Sequence, residues 1–142
     1  MKMSSDVITP VFVALGSNLG DRAAHLALAR NRLAALPATR VVATSAIEQT
    51  DPLGGVDQPA YLNQMVLLET GLTPHELLDA CLDIEREAGR TRAERWASRT
   101  LDLDIVQFGD RTIADDRLTV PHPGLAERVF WQHEMAELAS HV

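Results

Sequence analysis

The sequence predicts an α+β fold: a ferredoxin-like β-α-β-β-α-β sandwich whose helices pack on an antiparallel-rich sheet. Three observations point there. Apolar runs of strand length alternate with segments of helical period in that order. Two helix starts are marked by capping chemistry, at Asp21 and at Thr73-Pro74-His75-Glu76. With 142 residues and 46% hydrophobic composition, the chain suits one core and one domain spanning residues 1–142, with 1–9 expected as a flexible N-terminus.

Val11 to Gly16 is a short apolar run between Pro10 and Gly16-Ser17-Asn18, the pattern of a buried first strand. Asp21 then caps a helix reaching about Leu36, with Leu26, Ala29, Arg30 and Leu33 spaced for one inward face. Arg40 to Gln49 alternates weakly and reads as the second strand. Two prolines and two glycines between Thr50 and Pro59 make a long irregular loop, of a length more often functional than connecting. Tyr61 to Glu69 is the third strand, on which Tyr61 and Asn63 share a face. The second helix carries Leu77, Cys81, Ile84 and Ala88 as its buried stripe. Thr100 to Phe108 is β-branched and apolar, closed by the turn pair Gly109-Asp110, and reads as the fourth strand. Arg117 to Val120 forms a short returning strand, Pro121-His122-Pro123 ends it, and Leu125 to Ala139 is a last helix.

Composition excludes several classes of function. A formal net charge of −7 argues against nucleic acid as the main partner, because phosphate-backbone binding wants a broad positive surface. Cys81 is the only cysteine, so an internal disulfide is impossible. No stretch approaches a transmembrane length, and Met-Lys-Met-Ser-Ser-Asp lacks an apolar signal core, so a soluble cytoplasmic protein away from any membrane is expected; a monomer with small-molecule substrates is the accompanying expectation. The only lysine is Lys2, which removes a P-loop reading of Gly16 and Gly20. His133-Glu134 begins like a zinc-protease H-E-x-x-H, but position 137 is Glu, so that motif fails and His133 with Glu137 reads as a helix-face pair.

Positive charge is local instead. Five of the thirteen basic side chains, Arg86, Arg90, Arg92, Arg95 and Arg99, fall within fourteen residues, and Asp102 and Asp104 follow. On a strand these two acids point the same way, roughly 6.5–7 Å apart along the chain, while Leu101, Leu103 and Ile105 point into a core. A hard divalent cation relieves their repulsion, because Mg²⁺ is commonly held by one or two carboxylates plus substrate phosphates. Guanidinium forks match phosphate oxygens, and a cluster of them suits a polyphosphate. A solvated strand face and surface ion pairs to Glu85, Glu87 and Glu94 are the competing explanations. Residues 89–99 contain a glycine, a lone Trp96 and no long apolar periodicity, the character of a mobile lid over an anionic ligand. His122 sits between two prolines near that lid, either as a mounted imidazole or as a satisfied loop histidine. Tyr61 offers a stacking ring, Asn63 a donor and acceptor, and Asn18 a site edge or a simple turn residue.

Taken together, Arg95-Trp96-Ala97-Ser98-Arg99-Thr100-Leu101-Asp102-Leu103-Asp104-Ile105-Val106 resembles the signature of the 6-hydroxymethyl-7,8-dihydropterin pyrophosphokinase family of folate biosynthesis. Ala14 to Asp21, Asp57 to Asn63 and Leu118 to Pro123 resemble further family segments, in order and spacing, from about Val11 to about Ala139. The resemblance implies transfer of diphosphate from ATP to the reduced pterin's hydroxymethyl group, with release of AMP. It implies two Mg²⁺ ions on Asp102 and Asp104, and Arg90 and Arg99 as catalytic groups on the transferring phosphate. ATP would be met by Glu85, Arg92, Ile105, Arg117, Thr119 and His122. The pterin would lie between Tyr61 and Phe130, with Asn63, Asn18, Thr50, Leu53 and Trp96 around it. Ala97-Ser98 stands where the family usually has Gly-Pro, and the last helix departs from the usual pattern behind Phe130. Another metal-dependent phosphoryl or nucleotidyl transferase, and a non-catalytic ferredoxin-like ligand-binding domain, are the alternative classes.

Overall fold

The computed structural model of the chain describes residues 7–51, 59–89 and 100–142. In chain order the elements are β1 (Thr9–Ser17), α1 (Arg22–Ala34), β2 (Thr39–Thr44), β3 (Glu48–Thr50), β4 (Tyr61–Thr70), α2 (Pro74–Glu87), β5 (Asp102–Phe108), β6 (Ile113–Ala114), β7 (Thr119–Val120) and α3 (Val129–Leu138). A 3-10 turn, Ala139–His141, follows. The main sheet runs β2-β4-β1-β5 with β3 also paired to β4, and every pairing is antiparallel. The ferredoxin-like expectation is met: β1 and β2 run the same way with β4 between them, as a split βαβ unit requires.

β1 reads as an unbroken apolar run because it is central and covered on both faces. Val11, Val13 and Leu15 pack with Leu26, Ala29 and Leu33 of α1 and with Leu77, Cys81 and Ile84 of α2. Phe12 and Ala14 face the other way, toward Met65, Leu67, Trp131 and Leu138. α3 covers only part of that second face, which leaves the strand ends beyond Ala14 and Met65 open. The caps form as read: Asp21 accepts from the Ala24 N–H at 3.1 Å, and Thr73 and Glu76 exchange both bonds of a capping box. Arg30 borders the inward face of α1 as a polar member, half-buried and donating to the buried Gln64 of β4 at 2.8 Å.

Four further boundaries differ for physical reasons. The second strand is not continuous from Arg40 to Gln49. At its centre the Ser45 N–H keeps its bond to the Met65 carbonyl at 2.9 Å, but the Ser45 hydroxyl accepts the Met65 N–H at 2.9 Å and donates to the Ala46 carbonyl at 3.0 Å, so a side chain replaces one ladder acceptor and splits β2 from β3. The last helix begins at Val129, not Leu125, because residues 124–128 close turns onto Gly124, whose carbonyl accepts from Glu127 and Arg128. The returning strand is only Thr119–Val120, and it pairs with a partner strand, β6, of two residues, too short for alternation to show. A bulge at Val106 shifts the β1–β5 register: Ile105 lies opposite Val13 but Gln107 opposite Phe12, so Val106 keeps the aspartates' face and enters the second core while Phe108 turns into the first. Among the described residues no helix is long and apolar enough to cross a membrane.

Candidate functional site

The sheet register alone assembles the site. Thr50 pairs with Tyr61. Asn63 lies opposite Gly16, and Gly16 opposite Asp102; one step along, Met65, Ala14 and Asp104 form the next row. Strands in a sheet are about 4.8 Å apart, so Asn63 and Asp102 stand roughly 10 Å from each other across β1 on one face. That face opens into a cavity of about 370 Å³, whose lining includes Thr50, Tyr61, Asn63, Asp102, Asp104 and His122, with Phe130 and Trp131 from α3. A volume of this size suits a small organic ligand.

Gly16 is the floor. Its φ is not in the left-handed region, so the backbone does not demand glycine there. A Cβ at this position would stand 3.5 Å from Asn63 Oδ1 and 3.6 Å from the Tyr61 ring, ordinary contact distances. The missing side chain therefore serves the cavity, not the fold. Asn63, 6% exposed, donates through Nδ2 to Thr50 Oγ1 at 2.6 Å, which leaves its carbonyl oxygen aimed over Gly16.

At the other end Asp102 and Asp104 are half-buried while Leu101, Leu103 and Ile105 are in the core, as the strand alternation requires. Glu85 pins this strand from α2: it is 5% exposed and accepts the Leu103 N–H, between the two aspartates, at 2.7 Å. Below it, burial pushes the Cys81 thiol far above its usual range, so it is inert. His122 is held twice, its N–H donating to the Val106 carbonyl at 2.8 Å and its Nδ1 accepting the Gly124 N–H at 2.9 Å. With Nδ1 accepting, the donor position of the ring is Nε2, which lies 3.7 Å from Asp104 Oδ1. The peptide between Val120 and Pro121 is cis.

The fold thus gathers Thr50, Tyr61, Asn63, Asp102, Asp104, His122 and Phe130 around one cavity. Asn18 is buried behind it, donating to the Pro59 carbonyl at 3.2 Å and so fixing the entry to β4. Arg117 is off the cavity and paired with Asp79 at 2.6 Å; Thr119 is exposed on β7, and Ile105 packs in the core. Leu53, Arg90, Arg92, Trp96 and Arg99, and nearly all of segment 89–99, lie outside the described residues. Of the acids set against the arginine cluster, Glu87 pairs with Arg32 of α1, and Arg86 pairs with Asp83.

Sequence reasoning missed two groups. Arg128 lines the cavity beside His122; it lies just before α3 and twenty-nine positions beyond Arg99, with no local pattern to mark it. Glu134 follows Phe130 by one helical turn and is 1% exposed. Both its carboxyl oxygens are buried without a donor among the described residues, and so is Oε1 of Glu48 on β3. Burial first, then the neighbouring Glu48 and Glu137, push the Glu134 carboxyl up to about 9, so it is neutral at pH 7. The reading of His133 with Glu137 as a pair is corrected: His133 reaches Glu48 at 3.3 Å, and Glu137 accepts the Ala46 N–H at 3.0 Å.

The donor set at Asp102 and Asp104 suits a hard divalent cation whose remaining ligands come from water and ligand phosphates. Among the described residues no group of three or more His, Cys, Asp or Glu forms a self-sufficient metal cage.

Comparison with known proteins agrees over nearly the whole chain. Residues 12–140 match the family model described as 7,8-dihydro-6-hydroxymethylpterin-pyrophosphokinase. A Methylorubrum extorquens protein named 2-amino-4-hydroxy-6-hydroxymethyldihydropteridine pyrophosphokinase is 46% identical over 132 residues, covering 93% of this chain and 84% of its own. Proteins of the same name from Pseudomonas aeruginosa and Bacillus subtilis are 45% and 44% identical, covering 94% and 92% of this chain and 82% and 78% of theirs.

Proposed function

The chain belongs to the 7,8-dihydro-6-hydroxymethylpterin-pyrophosphokinase family, and we propose that it moves a diphosphate group from ATP to 6-hydroxymethyl-7,8-dihydropterin in folate biosynthesis. The pterin hydroxyl oxygen forms a bond to the β-phosphorus, the bond between that phosphorus and the α,β-bridging oxygen breaks, AMP departs with that oxygen, and the hydroxyl proton is lost to water. The observation that carries the reading is that an acid pair and a ring-and-amide group share one cavity on one sheet face, separated by a glycine.

In this reading the Tyr61 and Phe130 rings bracket the pterin, and the Asn63 carbonyl, freed by the Thr50 bond, accepts from its N–H edge. Thr50 lines that half and Asn18 lies behind it; Leu53 and Trp96, outside the described residues, would add further pterin contacts. Asp102 and Asp104 would hold two Mg²⁺ ions, which when bound supply charge neutralisation for the triphosphate. Glu85 keeps the two carboxylates in register through Leu103. His122 offers an Nε2–H donor to a phosphate oxygen, and Arg92, Thr119 and the Ile105 backbone would complete the ATP half; Arg117, paired with Asp79 off the cavity, would join them only by exchanging that acid for a phosphate. Arg90 and Arg99, on the segment 89–99 assigned as a lid, take the charge on the transferring group. Such a transfer needs alignment and charge stabilisation more than covalent help, and water exclusion prevents wasteful hydrolysis.

Incubation with ATP, Mg²⁺ and the pterin alcohol tests this. The expected products are AMP and a pterin diphosphate in equal amounts. Formation of ADP with a pterin monophosphate, or no pterin product, overturns the reading.

A further inference from the structure

The carboxylate half of the cavity has a cation that is not on the lid segment, and its support is unusual. Several arginines of the described residues, Arg32, Arg40, Arg86 and Arg117, are paired with carboxylates. Arg128 is not: among the described residues no carboxylate lies in ion-pair contact with it. Its guanidinium instead lies over the Trp131 ring, 4.4 Å from the centroid. The same indole meets the His122 imidazole edge-on, with centroids 4.9 Å apart and planes at 90°. A cation held by a π face keeps its N–H donors free, whereas an acid partner would occupy them. Trp131 itself is 3% exposed, so it is a fixed platform and not a mobile cover. Gly124 leaves room for the arrangement, since a Cβ there would come within 3.1 Å of Arg128 Nε and 3.2 Å of His122 Nδ1.

We propose that Trp131 is a positioning residue that holds Arg128 and His122 together against the mouth of the cavity as a pre-formed anion grip for the triphosphate. The two groups are complementary: His122, with Nδ1 accepting from Gly124, presents Nε2 as a single donor, and Arg128 is a permanent cation with a planar fork. Neither depends on closure of another segment. The inference rests on the pyrophosphokinase reading for the identity of the anion, but its geometry is independent of that reading.

The test uses the full chain, with MgATP and pterin alcohol dissociation constants measured by calorimetry and thermal melting run alongside. Trp131→Leu is expected to weaken MgATP binding roughly 3- to 30-fold, the range for a partly desolvated cation–π contact, with a much smaller change for the pterin. Trp131→Phe, which keeps a π face, recovers most of the loss. In an Arg128→Met background, Trp131→Leu costs clearly less than it does in the wild type, because one of the two groups it positions is gone and only the edge-on contact to His122 is left to lose. Equal losses from Trp131→Leu with and without Arg128, or no loss at all, overturn the inference and leave the pyrophosphokinase reading standing. Should Trp131→Leu fail to fold, the comparison passes to Trp131→Phe, whose MgATP affinity is expected to stay within a few-fold of wild type; a loss as large as that of Arg128→Met overturns the inference. Failure of the wild type to bind MgATP overturns both.

Discussion

Glu134→Gln tests the physics of the helix that carries Phe130 and Trp131. Glu134, almost closed to water, and the partly exposed Glu48 bring two carboxyl groups together, and His133 stands 3.3 Å from Glu48 Oε2 on the outer side. Raising the Glu134 carboxyl from 4.5 to about 9 means that the folded chain keeps a proton there that the unfolded chain loses. Below pH 4.5 both states hold it, and the group adds no penalty. Between about pH 4.5 and 9 only the folded state holds it, so stability falls as pH rises; above that window the full penalty is reached. At about 1.4 kcal/mol per unit the whole shift corresponds to at most ~6 kcal/mol, and partial relaxation of the pocket makes ~3–6 kcal/mol the working range. An amide cannot ionise and nearly matches the protonated acid in shape and donor capacity, so Glu134→Gln removes the titration. Urea unfolding from pH 5.5 to 8.5 gives the answer: the variant is expected to gain on the wild type progressively, reaching about 2–4 kcal/mol near pH 7.5. Parallel pH profiles for the two proteins, or a variant weaker by a constant amount throughout, refute the account of a carboxyl held protonated by burial.

Two further outcomes probe the ligand half and the transfer step. Gly16→Val should leave the melting temperature within a few degrees, because a Cβ meets only ordinary contacts, while pterin affinity drops at least about tenfold as the side chain occupies the floor; unchanged affinity in a calorimetric titration would remove Gly16 from the site. Arg99→Ala is expected to lower kcat by a factor of about 100 or more with little change in ATP affinity, and equal losses in both would contradict a role confined to the transition state.

Most of the scaffold could be read from residues because local and global signals agree along it. β1 is apolar throughout since it is central, and Thr73 with Glu76 closes a box whose partners are three residues apart. The aspartate alternation on β5 survives because the bulge falls after it, at Val106, and the odd-numbered residues before that point face the core. What was hidden depends on partners far away in sequence. Ser45 breaks a strand through Met65, twenty positions on, and nothing local in Thr-Ser-Ala announces it. Arg128 looks like any loop arginine until Trp131 and His122 are seen beside it. Glu134 sits in a helix whose composition suggests an exposed acid, and only the packing of α3 against β3 and β4 buries it. The Arg117 position illustrates the reverse: its residue type and motif fit a phosphate contact, yet in the fold it is engaged by Asp79 away from the cavity.

The central claim is that Asp102 and Asp104 make the cavity a metal-dependent polyphosphate site. It is tested most directly by following AMP and pterin diphosphate formation across a Mg²⁺ titration for the wild type and for Asp102→Asn. The wild type should saturate with Mg²⁺ and yield the two products in step, and the variant should lose at least about 100-fold in turnover, recovering little at any Mg²⁺ concentration. Turnover by Asp102→Asn equal to the wild type, with the same dependence on Mg²⁺, would contradict the account.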